Sequence, residues 1–269
     1  MDWKKPLVDV LSVAAFFSRL PFWSLRARID AHAPAEPLGK LAWAFPLAGC
    51  LIALPAALAL LVLVQTPLSP LVLAGLIIAG LTFSTGALHE DGLADLCDGL
   101  GGGASRQRKL EIMRDSTIGT YGAAGLVFSL LLRVGSLASL IALLSPIQTA
   151  LSFVAVAALS RTAMLWQWRT SQPARADGLA RSQSTPTSKS FVTAASIAAF
   201  FAIALLLPIF GPLATAVSLL VSGLLIWGMC RMCERQIGGY TGDTLGAGQQ
   251  IVETCLLICL SASAGALTL

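Results

Sequence analysis

Seven long apolar stretches run through this sequence, and each approaches the roughly 20 residues that a membrane-spanning helix needs. Only 12% of the 269 residues are charged. A soluble domain carries about 25% charged residues, so this chain could not cover a water-exposed surface. The sequence therefore predicts an all-α, polytopic membrane helix bundle in one domain, residues 1–269, and excludes a soluble enzyme, a disordered protein and a secreted disulfide scaffold. The predicted spans are Leu41–Val64, Leu71–Leu88, Thr120–Leu144, Gln148–Trp168, Phe191–Ile209, Leu213–Met232 and Gln249–Leu269.

The charged residues are distributed unevenly around these spans. Four of the 32 charges lie in the spans or at their ends, and the other 28 lie before the first span or after the second, fourth and sixth. The remaining connectors and the carboxyl end carry none. Seven spans therefore put every charged segment on one side of the membrane, and an excess of Lys and Arg marks that side as cytoplasmic. A net charge of +4 is too small to indicate a nucleic-acid partner.

A shorter apolar segment, Pro6–Phe17, precedes the first span. Its roughly 12 residues are too few to cross a bilayer. Arg19 and Pro21 follow it and no small-residue cleavage site does, which argues against a signal peptide. We predict an amphipathic helix on the membrane surface, within a cytoplasmic segment covering residues 1–40.

A cluster of acidic residues directly follows the second span. Glu90, Asp91, Asp95 and Asp98 lie within nine residues, beside His89. If the helix continues, the three aspartates are spaced i, i+4 and i+7 and share one face. Carboxylates this close repel one another unless a cation lies among them, and oxygen ligands favour Mg²⁺ or Mn²⁺ over zinc. The pattern predicts a Mg²⁺ site with Glu90 as a weaker ligand and His89 orienting a carboxylate or a phosphate. A solvated acidic helix end is the alternative.

The segment between the second and third spans, residues 88–119, is predicted to be a cytoplasmic catalytic loop. Its glycine run, Gly101–Gly103, fits either a helix end and hinge or a backbone that approaches phosphate. Lys109 lies on a short basic helix and Arg114 just beyond it, and these cations suit phosphates or anionic lipid head groups equally well. Asp115 opens a polar stretch at the membrane surface that we expect to line a pocket.

Two of these segments resemble the signature of the cobalamin synthase family, the adenosylcobinamide-GDP ribazoletransferases. They read HEDGLADLCDGLGGG at 89–103 and RKLEIMRDSTIGTYG at 108–122. The resemblance continues in the family's order along nearly the whole chain. Two residues depart from the family's pattern. Ser18 stands where threonine is common in the family, and Cys97 is a departure at a position between two acidic residues. The further matching segments are FFSRLP at 16–21, SR at 160–161, ARADGL at 174–179 and GGYTGDTLGA at 238–247.

The resemblance implies the last assembly step of coenzyme B12, at the inner membrane of a bacterial or archaeal cell. α-Ribazole, or its 5′-phosphate, attacks the β-phosphate of adenosylcobinamide-GDP, so that GMP leaves and adenosylcobalamin or its phosphate forms. The family requires Mg²⁺. The expected partners are therefore the two substrates and membrane lipid, and small residues in the spans also allow a homo-oligomer.

This chemistry assigns roles to the acidic residues. Attack on a pyrophosphate builds charge on phosphoryl oxygens, and metal ions held by carboxylates neutralise it. We predict Asp91, Asp95 and Asp98 at the Mg²⁺ ion. Asp243, in the carboxyl-terminal motif, is predicted either to complete a second metal site or to act as base for the ribazole hydroxyl, and Asp115 is a lower-ranked candidate for either role.

Two arginines fall inside predicted spans, where a charge costs a few kcal/mol or more and faces the bundle interior or a wet cavity. For Arg161 we predict contact with a phosphate or a carboxylate, with a structural ion pair to Glu253 as the alternative. For Arg133 a structural role is as well supported as contact with a phosphate or a carboxylate. Arg175 and Arg19 are predicted phosphate or pocket contacts on the strength of the resemblance.

Two other functions suit parts of the pattern. Buried arginines and glycine-interrupted helices also suit a corrinoid transporter, although no inverted repeat is evident. Closely spaced aspartates also occur in CDP-alcohol phosphatidyltransferases, with the pattern DGxxAR…GxxxDxxxD. Here Asp-Gly-Leu-Ala-Asp replaces the first half of that pattern, and the second half is missing.

Overall fold

The structure is a computed structural model that describes residues 4–32, 36–175 and 183–266. These residues are overwhelmingly helical, which confirms the all-α membrane bundle. The helices are α1 (Lys4–Phe17), α2 (Phe22–Ile29), α3 (Phe45–Leu63, after a 3₁₀ turn at Ala42–Ala44), α4 (Pro70–Ser84), α5 (Leu88–Gly102), α6 (Arg106–Ile112), α7 (Thr120–Leu143), α8 (Pro146–Thr170), α9 (Ser188–Phe201), α10 (Leu207–Ile237) and α11 (Gly242–Ala266), with a π-helical turn, Ala202–Leu206, between α9 and α10.

Five helical stretches are long and apolar enough to cross a membrane, and the bent pair α4 and α5 passes the same test together as a sixth. One of the five, Ser188–Ile237, runs for 50 residues. At about 1.5 Å per residue a straight helix of that length would greatly exceed the ~30 Å thickness of a bilayer core. This stretch therefore has to fold back on itself.

The reversal occurs at Gly211, whose φ of 77° and ψ of 171° break the helix directly before a proline. Both ends of the stretch lie beside the end of α8. Arg169 donates from Nη2 to the hydroxyl of Ser188 (2.9 Å), and the hydroxyl of Ser171 donates to the carboxylate of Glu234 (3.0 Å). The stretch is thus two antiparallel arms, and counting them separately adds one crossing to the five or six that length and hydropathy give.

The second predicted span does not continue straight into the acidic segment. Its helix ends at Ser84, and Gly86 and Ala87 take left-handed backbone conformations, with φ of 65° and 56°. The following helix, α5, turns away by 89°. The expectation of a continuous helix into solvent is therefore wrong, because α5 packs between α7 and α11 instead, although it remains helical across the whole acidic cluster.

The amino-terminal helix α1 forms over the predicted segment. One side of it, including Val13, Ala14 and Phe17, is buried against α3, while Leu7 and Phe16 are exposed. The predicted helix therefore forms, one side of it packs within the protein, and its position on the membrane surface stays a prediction.

Helix α11 lies at the centre of the bundle and contacts α5, α7, α8 and α10. Its buried side carries Gln249, Gln250 and Glu253 in addition to apolar residues. A polar layer inside a membrane bundle needs internal partners. This layer and the helices that supply its partners fix the positions of the elements that form the site.

Candidate active site

The aspartates of α5 meet the start of α11 at an unusually close helix crossing. A Cβ atom added to Gly92 would lie only 2.6 Å from the carbonyl oxygen of Asp243. Only glycine permits this approach, since real side chains do not tolerate such a distance. The crossing brings Asp91 and Asp95, which flank Gly92 on α5, to the amino end of α11, where Asp243 lies in the first turn.

Negative charge is concentrated at this crossing. Asp95 interacts electrostatically with Asp91, Asp98 and Asp243. Arg175 faces the group, with Nη1 3.8 Å from Oδ2 of Asp243, and both side chains are partly exposed. One guanidinium among four carboxylates leaves a net negative site, which attracts a cation. We call Asp91, Asp95 and Asp243 the carboxylate cluster.

Asp98 has a different local environment from the other two aspartates of α5. Its oxygens accept hydrogen bonds from the backbone N–H groups of Gly119 (2.7 Å) and Gly122 (2.8 Å). These groups belong to the start of α7, where N–H groups have no partner within the helix. A carboxylate is a favourable cap at that position. Asp98 thus ties α5 to the polar stretch before α7, and its predicted role as a Mg²⁺ ligand stays a prediction.

Among the described residues, no group of three or more His, Cys, Asp or Glu side chains is arranged to hold a metal ion. A site of one or two carboxylates is the arrangement that Mg²⁺ commonly uses when substrate phosphates complete its coordination. Asp91 and Asp95 supply carboxylates of this kind, and the Mg²⁺ site stays a prediction.

Glu90 faces away from the carboxylate cluster into the bundle interior. It accepts hydrogen bonds from Arg133 Nη1 (2.9 Å) and from the hydroxyl of Thr82 (3.0 Å). Arg133 also donates to Glu253 (2.6 Å) and to Gln250 (3.0 Å). The structure thus supports the structural role considered for Arg133. The prediction of Glu90 as a weak metal ligand is untested, although its carboxylate is already paired.

Arg161 is almost completely buried, at 1% exposure, near this ion network. Its Nη1 donates to the carbonyl of Ala157 on its own helix (3.2 Å), and Glu253 is its strongest electrostatic partner. Its Nε has no hydrogen-bond partner within the described ranges. The predicted phosphate contact is not tested, and the surroundings of Arg161 agree with the alternative of a structural carboxylate partner.

The loop before α11 is paired with the loop after α8. Tyr240 N–H donates to the carbonyl of Gln172, and Ala174 N–H donates to the carbonyl of Tyr240, both at 2.8 Å. Gly238 and Gly239 supply the positive φ angles, 79° and 147°, that this turn requires. The pairing places Arg175 beside Asp243. The remainder of the ARADGL segment, from residue 176 on, lies outside the described residues.

The other predicted basic contacts surround the same face. Arg175 donates to the carbonyl of Leu110 (2.9 Å), and Lys109 donates to Gln236. Arg114 lines a shallow cavity of about 460 Å³ together with Arg106 and Arg175. Arg106 lies on the same short basic helix as Lys109, and the packing of that helix brings it to this cavity. Three arginines around one cavity suit an anionic ligand.

Two candidates lie at the margin of this arrangement. The backbone N–H of Arg19 donates to the carbonyl of Ser84 (2.7 Å), and its side chain packs over Gly86, so this residue joins the amino-terminal segment to the α4–α5 bend. Asp115 is fully exposed, and hydrogen bonds from Thr117 lower the pKa of its carboxyl group. No contact joins either residue to the carboxylate cluster among those that the described residues make.

An apolar cavity of about 250 Å³ opens beside the carboxylate cluster, and we call it the aromatic cavity. His89, Asp91, Gln183 and Asp243 are its polar lining residues. Residues from five helices form the apolar side, so no single sequence motif could reveal it. The apolar walls include Phe16, Phe17, Phe45, Met164, Trp168 and Leu245.

Comparison with known proteins gives one consistent result. The chain matches the family described as cobalamin-5-phosphate synthase over residues 9–261. It is 43% identical over 262 residues to the adenosylcobinamide-GDP ribazoletransferase of Rhizobium johnstonii, covering 97% of this chain and 99% of that protein. It is 46% identical over 258 residues to the protein of that name from Azorhizobium caulinodans, covering 96% and 97%. No solved structure matches the chain.

Proposed function

This chain belongs to the cobalamin-5-phosphate synthase family, and we propose on that premise that it carries out the reaction for which its relatives are named at the carboxylate cluster. A ribose hydroxyl of α-ribazole, or of its 5′-phosphate, attacks the phosphate of adenosylcobinamide-GDP that carries the corrinoid. The bond to the GMP phosphate breaks, and adenosylcobalamin or its phosphate forms. Family membership favours this transferase over the transporter and the phosphatidyltransferase.

The observation that carries this assignment is the crossing of α5 and α11 at Gly92. It collects Asp91, Asp95 and Asp243 on the face where the charged loops meet. The same face carries the three-arginine cavity. A diphosphate substrate needs both features, because its anionic groups require positive partners while its metal ion requires carboxylates.

Asp91 and Asp95, one helical turn apart on α5, are the residues that would hold Mg²⁺ together with substrate phosphate oxygens. Their oxygen donors and their excess negative charge fit this ion. When bound, Mg²⁺ neutralises the charge that develops on the phosphoryl oxygens.

The protein side chains then account for the remaining steps. Asp243 accepts the proton of the attacking ribose hydroxyl, since its carboxylate lies where the aromatic cavity meets the cluster. Arg175, beside Asp243, binds the diphosphate, and Arg106 and Arg114 bind the GMP portion that leaves. The polar stretch anchored by Asp98 closes the neighbouring side of α5.

The apolar helices and the charged loops indicate where the proposed reaction takes place. The long apolar helices make the chain a multi-pass membrane protein. We place it in the cell inner membrane with the carboxylate cluster facing the cytoplasm, because the charged loops share one face and carry the Lys and Arg residues. Contacts with specific lipids and a homo-oligomer are compatible with the small residues of the spans and remain predictions.

The direct experiment supplies membranes containing the protein with adenosylcobinamide-GDP, α-ribazole and Mg²⁺. We expect release of GMP and formation of adenosylcobalamin. Replacement of Asp91 or Asp95 by alanine should abolish turnover while membrane insertion is unchanged. Full activity in both variants would exclude the proposed metal site, and no GMP release by the wild-type protein would exclude the function.

A further inference from the structure

The walls of the aromatic cavity consist of rings in mutual contact. Phe17 packs edge-on against Phe45 with ring centroids 5.0 Å apart, and it lies 5.5 Å from the ring of His89. Phe45 in turn lies 6.1 Å from Trp168. The four rings come from α1, α3, α5 and α8, so packing between helices fixes the shape of the cavity before any ligand binds. Aromatic rings arranged in this way offer faces and edges to another flat ring.

One side of the cavity is polar, and one of its groups lacks a partner. His89 is 2% exposed, and its Nε2 atom has no hydrogen-bond partner in the part of the chain that the structure describes. Asp91 and Asp243 line the same cavity. A buried ring nitrogen without a partner is unfavourable, and a bound ligand with a matching atom would relieve this cost.

The size and the chemistry of the cavity select among the groups that the reaction brings to this face. Its volume of about 250 Å³ lies below the roughly 300–1,000 Å³ of sites for drug-sized ligands, so it suits a bicyclic ring and not a corrinoid macrocycle. Guanine carries polar atoms around most of its edge, and an apolar wall would leave them unpaired. The dimethylbenzimidazole of ribazole has a methylated hydrocarbon edge and a single free ring nitrogen.

We propose that the aromatic cavity binds the heteroaromatic base of the ribazole substrate, with its hydrocarbon edge against Phe17, Phe45 and Trp168. The Nε2–H tautomer of His89 donates a hydrogen bond to the free ring nitrogen, and the ribose points toward Asp91 and Asp243. This inference rests on the proposed function, which supplies the ribazole, and it assigns a separate subsite to the nucleophile.

Met164 provides the first test, because it lines the cavity from α8 and is neither a metal ligand nor a proton acceptor in the proposed reaction. Met164→Phe fills part of the cavity. We expect the KM for α-ribazole to rise by roughly tenfold or more, while the KM for adenosylcobinamide-GDP stays unchanged. The matched control is Met229→Phe, which alters an equally buried methionine on α10 and should not separate the two KM values.

Met164→Ala enlarges the same cavity instead of filling it. This variant keeps the inference testable if Met164→Phe does not fold. The enlarged cavity should accept a ribazole analogue with a third fused ring better than the wild-type protein does, and Met229→Ala should not. A rise in the KM for adenosylcobinamide-GDP alone, or no selective change in either folded Met164 variant, would overturn the assignment.

Binding measurements separate this inference from the proposed function. The wild-type protein in lipid nanodiscs should bind α-ribazole more tightly than its indole analogue, which lacks the free ring nitrogen, and His89→Leu should remove that preference. Retention of the full preference in His89→Leu would exclude the hydrogen bond. Ribazole binding that depends on Met164 but without any GMP release would support the cavity and contradict the transferase function.

Discussion

The Nη2 atom of Arg133 lies 2.6 Å from Oε1 of Glu253, deep inside the bundle, and both side chains are almost inaccessible to solvent. The same guanidinium donates to Glu90, the residue directly before Asp91. Arg133 on α7 therefore joins α5, which carries two members of the carboxylate cluster, to α11, which carries the third. This network holds together the two helices whose crossing forms the site.

Replacing Arg133 by methionine should destabilise the protein strongly. The change leaves two carboxylates buried without their cation, and loss of one partner of a buried ion pair typically costs about 3–5 kcal/mol. We expect a lower thermal unfolding temperature in detergent and a loss of activity. Adding Glu90→Gln to the same chain removes the excess carboxylate while Glu253 remains as the partner of Arg161, and this change should restore much of the stability. An unfolding temperature equal to that of the wild type in the single variant would contradict the network.

Asp95→Asn and Asp98→Asn should have different effects although both residues lie on α5. Asp95 is proposed to hold Mg²⁺, so its variant should need a much higher Mg²⁺ concentration for half-maximal activity. Asp98 caps α7, so its variant should lose roughly 1 kcal/mol of stability, as helix caps do, with little change in the Mg²⁺ requirement. Titration of activity with Mg²⁺ and thermal unfolding decide the matter. Equal shifts in the Mg²⁺ requirement would make Asp98 a ligand as well.

Gly92→Ala should disrupt the site through packing alone. The added Cβ would meet the backbone of Asp243 at 2.6 Å, and overpacking of this kind costs about 1–3 kcal/mol. We expect reduced stability and a larger loss of turnover, since α5 and α11 must separate. The control is Gly80→Ala on α4, where a Cβ would have no neighbour within 4 Å. If both variants behave alike, the close crossing is not required.

The orientation of the chain can be measured by cysteine labelling. In a variant whose six native cysteines are replaced by serine or alanine, a cysteine at Thr66 should react with a membrane-impermeant maleimide in intact cells. A cysteine at Gln107 should react only after the membrane is opened. The charge distribution predicts this result, because Thr66 lies in an uncharged connector and Gln107 in a charged one. The reverse labelling pattern would place the carboxylate cluster outside the cytoplasm.

Much of the architecture can be read from the sequence because apolar length and charge position are local properties. The predicted spans and the one-sided distribution of charge follow from them, and α5 is helical across Asp91, Asp95 and Asp98, as the i, i+4, i+7 argument requires. The bend before α5 could not be anticipated in the same way. It depends on Ala87 accepting a left-handed conformation, which a non-glycine residue adopts only when its surroundings require it.

The different roles of the acidic residues could not be predicted from the sequence pattern either. Glu90 and Asp91 are neighbours in sequence, but one pairs with Arg133 inside the bundle and the other lines the aromatic cavity. Arg133 lies 43 positions after Glu90, on another helix. Periodicity shows which face of α5 a residue occupies, and only the packing of α7 and α11 shows what that face meets.

The ion network around Arg133 also bears on how the chain is made. Helix α7 emerges from the ribosome long before α11, and a lone guanidinium in the middle of a span is unfavourable in lipid. Glu90 is already available at that stage, whereas Glu253 follows 120 residues after Arg133. Completion of the network therefore coincides with arrival of the last helix. Biogenesis of this protein should keep α7 in a protected environment until then, so that assembly of the bundle depends on the order in which its helices are synthesised.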